Sequence, residues 1–375
     1  MSDDKSTVVY SLETQHDNLG DFMINDLLIY EIGKHAKVII DDYNVPEDFK
    51  GRLSLCSFEL ASEFYSFSTF KSIQGLISLL FKRVKVDFIV QTPGHTSVKD
   101  FRMFVHILKT SFYVLLARIR GVRFLRIGMS YAELNFWGKF AISILHASGA
   151  TPIARDGRSG PRNGFNLQVL PDLIYLADSS YFMSPTGMVP ICGQKIIFSF
   201  RWDNIPVKER KKFGESIFNL ATSTSERFGV PVFITYQVQR DRELFEFLRK
   251  LHNDSGKSRC LVFIAERVQR EDVNEFYGES ALVVSNRLHV SLTAIVAGGI
   301  GIACVDSERD GKIVSIFSES VLSDLLVLDS LLVSEKIEKI SEIYKNKIRL
   351  KERLAVFVEE QRMILRDSIK KIFIA

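Results

Sequence analysis

An arginine and a histidine stand two residues apart, at Arg287 and His289, directly after a short apolar run that ends in Ser285. That run predicts a buried strand, and the apolar segment from Leu288 predicts a helix. Both side chains would then lie at a helix N-terminus, where backbone N–H groups and the helix dipole favour an anion. Arg287 can bind a carboxylate or phosphate through two parallel hydrogen bonds, and His289 can transfer a proton near neutral pH. The alternative is that His289 is a half-buried structural histidine and Arg287 a capping residue.

The elements that must position this pair follow from an alternation of short apolar runs and helix-like segments along the chain. Such alternation predicts an α/β protein whose mostly parallel sheets are covered by helices on both faces. Residues 179–194 contain two prolines, two glycines and little periodicity, which predicts a crossing between domains. We therefore expect two doubly wound Rossmann-like domains facing a cleft, at residues 1–185 and 195–333. C-terminal helices at 334–375 are expected to pack back on the first domain.

Composition excludes several classes of protein. The four cysteines, at positions 56, 192, 260 and 304, form no CxxC pair, which argues against a disulfide framework or a zinc site. The sequence has no HxH, no HExxH and no carboxylates at ligand spacing, so no metal is expected. Neither a secretory signal nor a run of about eighteen apolar residues occurs, so no membrane span is expected, and the widely spaced cysteines favour a reducing compartment such as the cytoplasm.

Positive charge is concentrated in residues 82–126, where ten basic and two acidic residues stand among many aromatic and aliphatic ones. One interpretation is a core helix with a solvated basic side. The other is a face that lies on an anionic membrane surface. Nucleic acid is not expected, because the aromatic residues have the helical spacing of a core and not the arrangement of a stacking platform.

The segment "SNRLHVSLTAIVAGG" resembles the Arg-x-His element, small-residue helix and glycine turn of the polysaccharide pyruvyltransferase family. Other segments over residues 16–315 agree with that family in order along the chain: "HDNLGDFMINDLLI" with Asn18, Gly20 and Asp21; "IGMS"; "IARDGRSG" with Arg155, Asp156 and Ser159; "VLPDLIYLAD" with Asp172; and "DGKI" with Lys312. The sequence departs from the family at "QTPGHTS". Many relatives have a glycine-rich turn there, whereas this chain has a single glycine, Gly94, followed by His95.

The resemblance implies that the enolpyruvyl carbons of phosphoenolpyruvate are transferred to two hydroxyls of a sugar, which forms a cyclic ketal and releases phosphate. No cofactor is implied beyond this donor. The donor carries a carboxylate and a phosphate, so the site needs several cations. Protonation of the methylene carbon needs an acid, and the attacking hydroxyl needs a base.

The same resemblance suggests roles for residues of this chain, with His289 as the acid, either to carbon or to the leaving phosphate, and Asp21 or His95 as the base. The residues expected to bind substrate are Arg287, Arg155, Lys312, Asn18, Gly94 and Ser285. Asp156 and Asp172 have simpler alternative roles, the first in orienting Arg155 and the second in capping a turn. The first domain is expected to bind the sugar and the second domain the donor.

Two other functions fit the same architecture. A glycosyltransferase of the GT-B class, which uses a nucleotide sugar, shares the plan of two doubly wound domains, and fold alone does not separate the two enzymes. A catalytically silent scaffold of a polysaccharide assembly complex would bind neither donor. The family resemblance implies a lipid-linked oligosaccharide acceptor for a cell-surface polysaccharide such as a capsule, and hence peripheral contact with the inner face of the membrane.

Overall fold

The computed structural model describes residues 5–53, 58–61, 86–98, 100–182, 195–256, 261–265, 267–318 and 320–374. The strands are β1 Thr7–Ser11, β2 Lys37–Asp41, β3 Glu59–Leu60, β4 Phe88–Gln91, β5 His95–Thr96, β6 Arg123–Tyr131, β7 Ala150–Ala154, β8 Gln168–Val169, β9 Ile196–Ser199, β10 Val232–Thr235, β11 Leu261–Phe263, β12 Leu282–Ser285, β13 Gly301–Val305 and β14 Leu326–Leu328. The α-helices are α1 Leu19–Gly33, α2 Glu47–Arg52, α3 Phe101–Ile119, α4 Phe136–Ala147, α5 Ser159–Asn163, α6 Val207–Phe228, α7 Arg242–Ser255, α8 Leu288–Val296, α9 Gly311–Phe317, α10 Val333–Lys345 and α11 Lys347–Ile374. Short 3-10 turns lie at Leu173–Leu176, Ser179–Phe182, Gln239–Asp241 and Ser320–Leu325, and a π-helical turn at Asn274–Gly278.

Two parallel sheets organise these elements. The first has the strand order β3-β2-β1-β4-β6-β7-β8, with β5 added beside β6, and the second has the order β11-β10-β9-β12-β13-β14. In each sheet the chain starts at a central strand, moves to one edge and then returns to build the other side, which is the doubly wound arrangement. The predicted α/β fold with two Rossmann-like halves is therefore confirmed.

Central strands of the second sheet are buried along their whole length, as expected where helices cover both faces of a sheet. In β9 and β12 every residue is buried, including the serine that ends each strand. Such continuous apolar runs are typical of parallel sheets. Cys304 is also buried, in β13, and is not bonded to another cysteine; the cysteines at 56, 192 and 260 lie outside the described residues.

Contacts divide the chain into two compact units. Unit 1 comprises Met1–His16, Asp21–Leu176 and Arg362–Ala375, and unit 2 comprises Asp17–Gly20 and Ala177–Gln361. The division falls at residue 176, nearer the N-terminus than the predicted limit at 185. Most of the predicted crossing at 179–194, and a helix that the sequence pattern predicts over 67–83, lie outside the described residues.

The helices predicted over 334–375 are divided between the two units: residues up to Gln361 belong to unit 2, and Arg362–Ala375 belong to unit 1. In unit 1, the ring of Phe373 packs edge-on against Phe88 with 5.0 Å between centroids. Arg362 Nε donates to the carbonyl of Tyr175 at 3.2 Å in the same unit. In unit 2, Arg353 pairs with Asp324 at 2.8 Å. The end of α11 therefore groups with the first unit through its own apolar and polar contacts, while its beginning groups with the second.

Two glycines that follow α8 allow close packing between this helix, the strand after it and the turn at residue 277. A Cβ added at Gly301 would lie 1.9 Å from the carbonyl oxygen of Ser291, and one at Gly299 would lie 2.2 Å from that of Tyr277. Ser291 Oγ also donates to the carbonyl of Ile302 at 3.1 Å. This close approach holds α8 in place, and with it the residues at its N-terminus.

Candidate active site

Two neighbouring strands of unit 2 each lead into an arginine. Strands β9 and β12 are parallel partners, and Ser199 lies opposite Ser285. Two residues beyond each serine stand Arg201 and Arg287. Because the paired strands end in register, both arginines lie at the carboxyl edge of the sheet, where ligands bind in doubly wound folds.

Hydrogen bonds between side chains and backbone lock these two strand ends together. Asn286 Oδ1 accepts from the backbone N–H of Arg201 at 2.8 Å, and Asn286 Nδ2 donates to the carbonyl of Arg201 at 2.8 Å. The hydroxyl of Ser285 accepts from the backbone N–H of Arg287 at 2.9 Å and donates to the carbonyl of Ser199. Ser285 was expected to bind substrate, but it is fully buried, and its hydroxyl holds the backbone of Arg287.

Each arginine has carboxylate neighbours. Arg287 is 6% exposed and pairs with Asp241, which is 1% exposed. Burial raises the pKa of the Asp241 carboxyl group, and the positive charge of Arg287 opposes that rise. Arg201 lies 3.8 Å from Asp310 and 3.7 Å from Asp203. Burial lowers the pKa of the Arg201 guanidinium, and the nearby positive charge of Arg287 lowers it further. The two guanidinium groups are therefore close enough to repel one another.

Both guanidinium groups retain a donor that makes no hydrogen bond. The Nε atoms of Arg201 and Arg287 are buried and have no hydrogen-bond partner among the described residues, although Arg201 Nε lies 3.7 Å from Asp203 Oδ1. A buried N–H group without a partner costs about 1–3 kcal/mol, so native proteins keep few of them. Two such donors at neighbouring strand ends could both form hydrogen bonds to an oxyanion.

His289 lies in the first turn of α8, and the predicted Asn-x-Gly segment lies against it. A Cβ added at Gly20 would be 2.4 Å from Nδ1 and 2.5 Å from Cβ of His289. Asn18 Oδ1 accepts from the backbone N–H of Gly20 at 3.1 Å, which fixes the turn. Residues 17–20 belong to unit 2, like His289. The structure thus brings together two segments that are about 270 residues apart in sequence.

Asp21 and Lys312 occupy the starts of two helices. Asp21 follows Gly20 in the first turn of α1, where its carbonyl accepts from the side chain of Asn25 at 2.6 Å. Lys312 is in the first turn of α9, two residues after Asp310, the carboxylate that lies near Arg201. The assignment of Asp21 as a base and of Lys312 as a third cation stays a prediction.

Arg155 lies in unit 1 and so is not in the same unit as Arg287. It is buried, pairs with Asp172 at 3.2 Å and donates from Nε to Ser130 at 3.1 Å. Asp172 also accepts from the backbone N–H of Ile174 at 3.1 Å, so it caps the turn as predicted.

Asp156 has a different role from the predicted one of orienting Arg155. Its Oδ1 accepts from the backbone N–H of Ser159 at 2.7 Å, and its Oδ2 accepts from the Ser159 hydroxyl at 2.7 Å. The expectation for Asp156 was wrong because an aspartate three residues before a helix-starting serine satisfies the free N–H groups of that helix. The carboxylate that holds Arg155 is Asp172.

The turn "QTPGHTS" lines a separate cleft of about 360 Å³ in unit 1, together with the inner side of α3. His95 is exposed at this cleft. The carbonyl of Gly94 accepts from the backbone N–H of Ser130 at 2.9 Å. A Cβ at Gly94 would meet nothing within 4 Å, so the fold does not require glycine there. The assignment of His95 as a base and of Gly94 as a substrate contact stays a prediction.

Sequence reasoning missed Arg201 and its neighbourhood. The missed signal is a Ser-x-Arg tripeptide that begins at the last residue of each strand. It is Ser199-Phe200-Arg201 at the end of β9 and Ser285-Asn286-Arg287 at the end of β12. No group of three or more His, Cys, Asp or Glu side chains that could hold a metal ion was found among the described residues.

The sequence over residues 18–299 matches the family described as polysaccharide pyruvyl transferase. No curated protein sequence matches the chain. Solved structures with the same fold include a glycosyltransferase from Rickettsia africae (TM-score 0.67, 11% identity, covering 99% of this chain and 98% of that one). The Anabaena protein HepE in complex with UDP-glucose (0.61, 11%, 98% and 98%) and a putative UDP-N-acetylglucosamine 2-epimerase from Listeria monocytogenes (0.60, 11%, 93% and 91%) are also similar. At this identity the structural likeness concerns the fold alone.

Proposed function

Since the chain belongs to the polysaccharide pyruvyl transferase family, we propose that it transfers the pyruvyl group of phosphoenolpyruvate to two hydroxyls of a sugar in polysaccharide biosynthesis. The observation that carries this proposal is a pair of arginines at one sheet edge, the buried Arg287 and the partly buried Arg201, whose Nε atoms are buried and make no hydrogen bond to the described residues. Phosphoenolpyruvate presents a carboxylate and a phosphate on the same carbon atom. Two adjacent guanidinium groups match two adjacent oxyanions, because each can form parallel charge-assisted hydrogen bonds.

The proposed reaction needs proton transfers at defined atoms. His289 donates a proton to the methylene carbon of the donor, which leaves an oxocarbenium-like centre at the neighbouring carbon. A sugar hydroxyl adds to that centre and gives its proton to a base, for which Asp21 and His95 are the candidates. The phosphate then leaves with the electron pair of its bond to carbon, and the second hydroxyl adds and loses its proton. The products are a cyclic ketal and inorganic phosphate.

In this proposal the guanidinium groups bind the donor by hydrogen bonds, and no cofactor takes part. Asp241 holds Arg287 by an ion pair, and Asn286 and Ser285 hold the backbone at both strand ends. Groups fixed in this way do not need to reorganise when charge develops on the leaving phosphate, which is the main source of electrostatic catalysis.

A nucleotide-sugar glycosyltransferase remains the second candidate, because the similar solved structures include a glycosyltransferase and a protein bound to UDP-glucose. The same two arginines would then bind a diphosphate. The two candidates predict different ligands, so a direct binding experiment separates them.

We expect phosphoenolpyruvate, and not UDP-glucose, to raise the melting temperature of the purified protein. A ligand that binds only the native state stabilises it by about 2.7 kcal/mol at 100 times its Kd. The rise should disappear in Arg287→Ala and persist in Arg242→Ala, which removes an exposed arginine of α7 paired only locally with Glu246. A rise with UDP-glucose alone would contradict the proposal in favour of the glycosyltransferase.

The proposed acceptor is a lipid-linked oligosaccharide, and the surface of α3 and α4 supports contact with a membrane. Four large apolar residues lie along one side of α3, and α4 adds three aromatic ones. All seven are exposed: Phe101, Phe112, Leu115, Ile119, Phe136, Trp137 and Phe140. The rings of Phe101 and Trp137 both contact Phe104, at 6.0 and 5.9 Å between centroids, so the two groups form one surface. We call it the α3–α4 face.

Charge favours an anionic membrane as the partner of the α3–α4 face. Helices α3 and α4 contain no acidic residue, and basic residues stand in and directly after α3 and within α4: Arg102, Lys109, Arg118, Arg120 and Lys139. Each basic residue near an anionic surface contributes roughly 1 kcal/mol. None of the described helices is long and apolar enough to cross a membrane.

The protein is therefore expected to sediment with vesicles that contain phosphatidylglycerol and not with vesicles of phosphatidylcholine alone. Binding should weaken at high salt, because screening shortens the range of the attraction. The double substitution Phe136→Ser and Trp137→Ser should reduce binding, whereas Val207→Ser, at an exposed apolar residue of unit 2, should not. If wild-type protein at low salt stays in the supernatant with both vesicles, the α3–α4 face is not a membrane contact.

A further inference from the structure

The 360 Å³ cleft of unit 1 contains a buried positive charge that the proposed reaction does not use. Arg126 lies in β6 and is 8% exposed. The turn that carries His95 and Thr96 forms one wall of the cleft, and His106 and Thr110 of α3 form another. Hydroxyl and imidazole groups thus surround the guanidinium of Arg126.

Arg126 has no counter-ion among the residues that the structure describes. Its NH2 donates to Thr96 Oγ1 at 2.8 Å and its NH1 to the hydroxyl of Tyr131 at 3.4 Å, and both partners are neutral. Within the described residues no carboxylate lies within ion-pair distance of Arg126, although Glu13 also lines the cleft. A guanidinium has five N–H donors, so most of this group's bonding capacity remains open. Buried charges in proteins are normally paired.

The groups behind Arg126 do not supply the missing charge. The Tyr131 hydroxyl lies 2.9 Å from His146 Nε2. Burial, and then the positive charge of Arg126, lower the pKa of His146 to about 4, so this imidazole is neutral at pH 7. Burial also raises the pKa of the Tyr131 hydroxyl. At pH 7 the network therefore carries a single positive charge, located on Arg126 and next to open volume.

We infer that this cleft binds an anionic oxygen group of the sugar acceptor, a carboxylate or a phosphate, through the guanidinium of Arg126. The identification of the anion as part of the sugar acceptor rests on the proposed function, whereas the binding of an oxyanion follows from the cleft alone. The Thr96 hydroxyl, which accepts from Arg126, can still donate to the sugar, and the Thr110 hydroxyl, which donates to the carbonyl of His106 at 3.0 Å, can still accept. A carboxylate would come from a uronic acid residue, and a phosphate from the diphosphate of a lipid-linked acceptor.

The position of the cleft along α3 agrees with a lipid-linked source. His106 and Thr110 line the cleft, whereas Phe101, Phe112 and Ile119 of the same helix belong to the α3–α4 face. An acceptor held at a membrane would have its head group close to this helix.

Calorimetric titration with three probes tests the inference. The probes are methyl β-D-glucuronoside, geranyl diphosphate and the uncharged methyl β-D-glucoside. All titrations use the full-length Arg287→Ala protein, so that the arginines of unit 2 do not compete for the anions. We expect one of the two charged probes to bind, which identifies the source, and the uncharged probe to bind at least tenfold more weakly than that charged probe.

Substitution of Arg126 completes the test. In Arg126→Gln the affinity for the charged probe should fall at least tenfold, and in Arg126→Lys it should fall less, because the charge is kept. Arg123→Gln serves as the matched control, since Arg123 is the exposed arginine of the same strand. Circular dichroism of each variant checks that it is folded. The inference is overturned if neither charged probe binds, or if folded Arg126→Gln binds the charged probe as tightly as the parent protein.

Binding experiments distinguish a wrong inference about the cleft from a wrong proposal about the reaction. Phosphoenolpyruvate is titrated separately into the protein with all its arginines and into Arg126→Gln. Equal binding of phosphoenolpyruvate by both, with no binding of the charged probes, rejects the cleft and keeps the donor site. Binding of a charged probe without any binding of phosphoenolpyruvate rejects the proposed function and keeps the anion site.

Discussion

Arg201→Ala is expected to raise the Kd for phosphoenolpyruvate about 100- to 1,000-fold. Removing one partner of a desolvated charge pair costs about 2–5 kcal/mol, which corresponds to factors of roughly 30 to 5,000 and so brackets the expected change. Arg201 and Arg287 are placed by the same strand register, so neither is expected to replace the other. Isothermal titration of the variant and of the wild-type protein measures the change.

The matched control for this experiment is Arg242→Ala, whose side chain is 55% exposed and pairs with Glu246 on the next turn of α7. Its affinity for phosphoenolpyruvate should stay within about twofold of wild type, since exposed pairs of this kind contribute little. Arg201→Lys should retain part of the affinity, because it keeps a charge but loses the two-pronged geometry. An Arg201→Ala protein that is folded and binds the donor normally would remove Arg201 from the site.

Gly20→Ala is expected to displace the imidazole of His289 and to lower the turnover number more than the affinity for the donor. The added methyl carbon would lie 2.4 to 2.7 Å from three atoms of His289, including its Cβ, which is fixed to the helix. Overpacking of this kind typically lowers the free energy of unfolding by 1–3 kcal/mol. Urea unfolding measures that change, and the NMR signals of the His289 ring report its displacement.

Gly51→Ala provides the comparison for this second prediction. Gly51 lies in α2, and a Cβ there would meet nothing within 4 Å. Alanine is the better helix former, so this variant should be slightly more stable than wild type, by roughly 0.5–1 kcal/mol. If Gly20→Ala leaves the His289 signals and the stability unchanged, the contact between the two segments does not position the histidine.

The parts of the structure that were predictable from sequence are those that depend on neighbouring residues. The placement of Arg287 and His289 at a helix start after a strand follows from a local pattern, and the structure confirms it. The Asp156 cap was equally local and was still assigned the wrong partner. A carboxylate three residues before Ser159 at a helix start is an N-terminal capping signal, and this signal outweighs the adjacent arginine.

The parts that were not predictable depend on which distant segments become neighbours. Arg201 contributes to the site because β9 lies beside β12, and chain order alone does not give that adjacency. The partner of Arg287, Asp241, comes from a third loop for the same reason. Arg126 was counted within a basic region, although its position in a central strand buries it. Periodicity predicts that a strand is buried, but it does not reveal which polar residue the strand directs into a cleft.

The buried Nε donors on Arg201 and Arg287 also bear on how this protein would respond to selection in the laboratory. Without a ligand these groups lower the stability of the folded state, since they are buried without the hydrogen bonds that water would provide. Replacing Arg287 alone by an apolar residue would leave the carboxylate of Asp241 buried without its partner, whereas replacing both residues together would remove the ion pair and the unsatisfied donor at once, which is often neutral or stabilising. A library screened for thermal tolerance alone should therefore accumulate inactive variants that have lost Arg287 and Asp241 together, and the screen should include the donor.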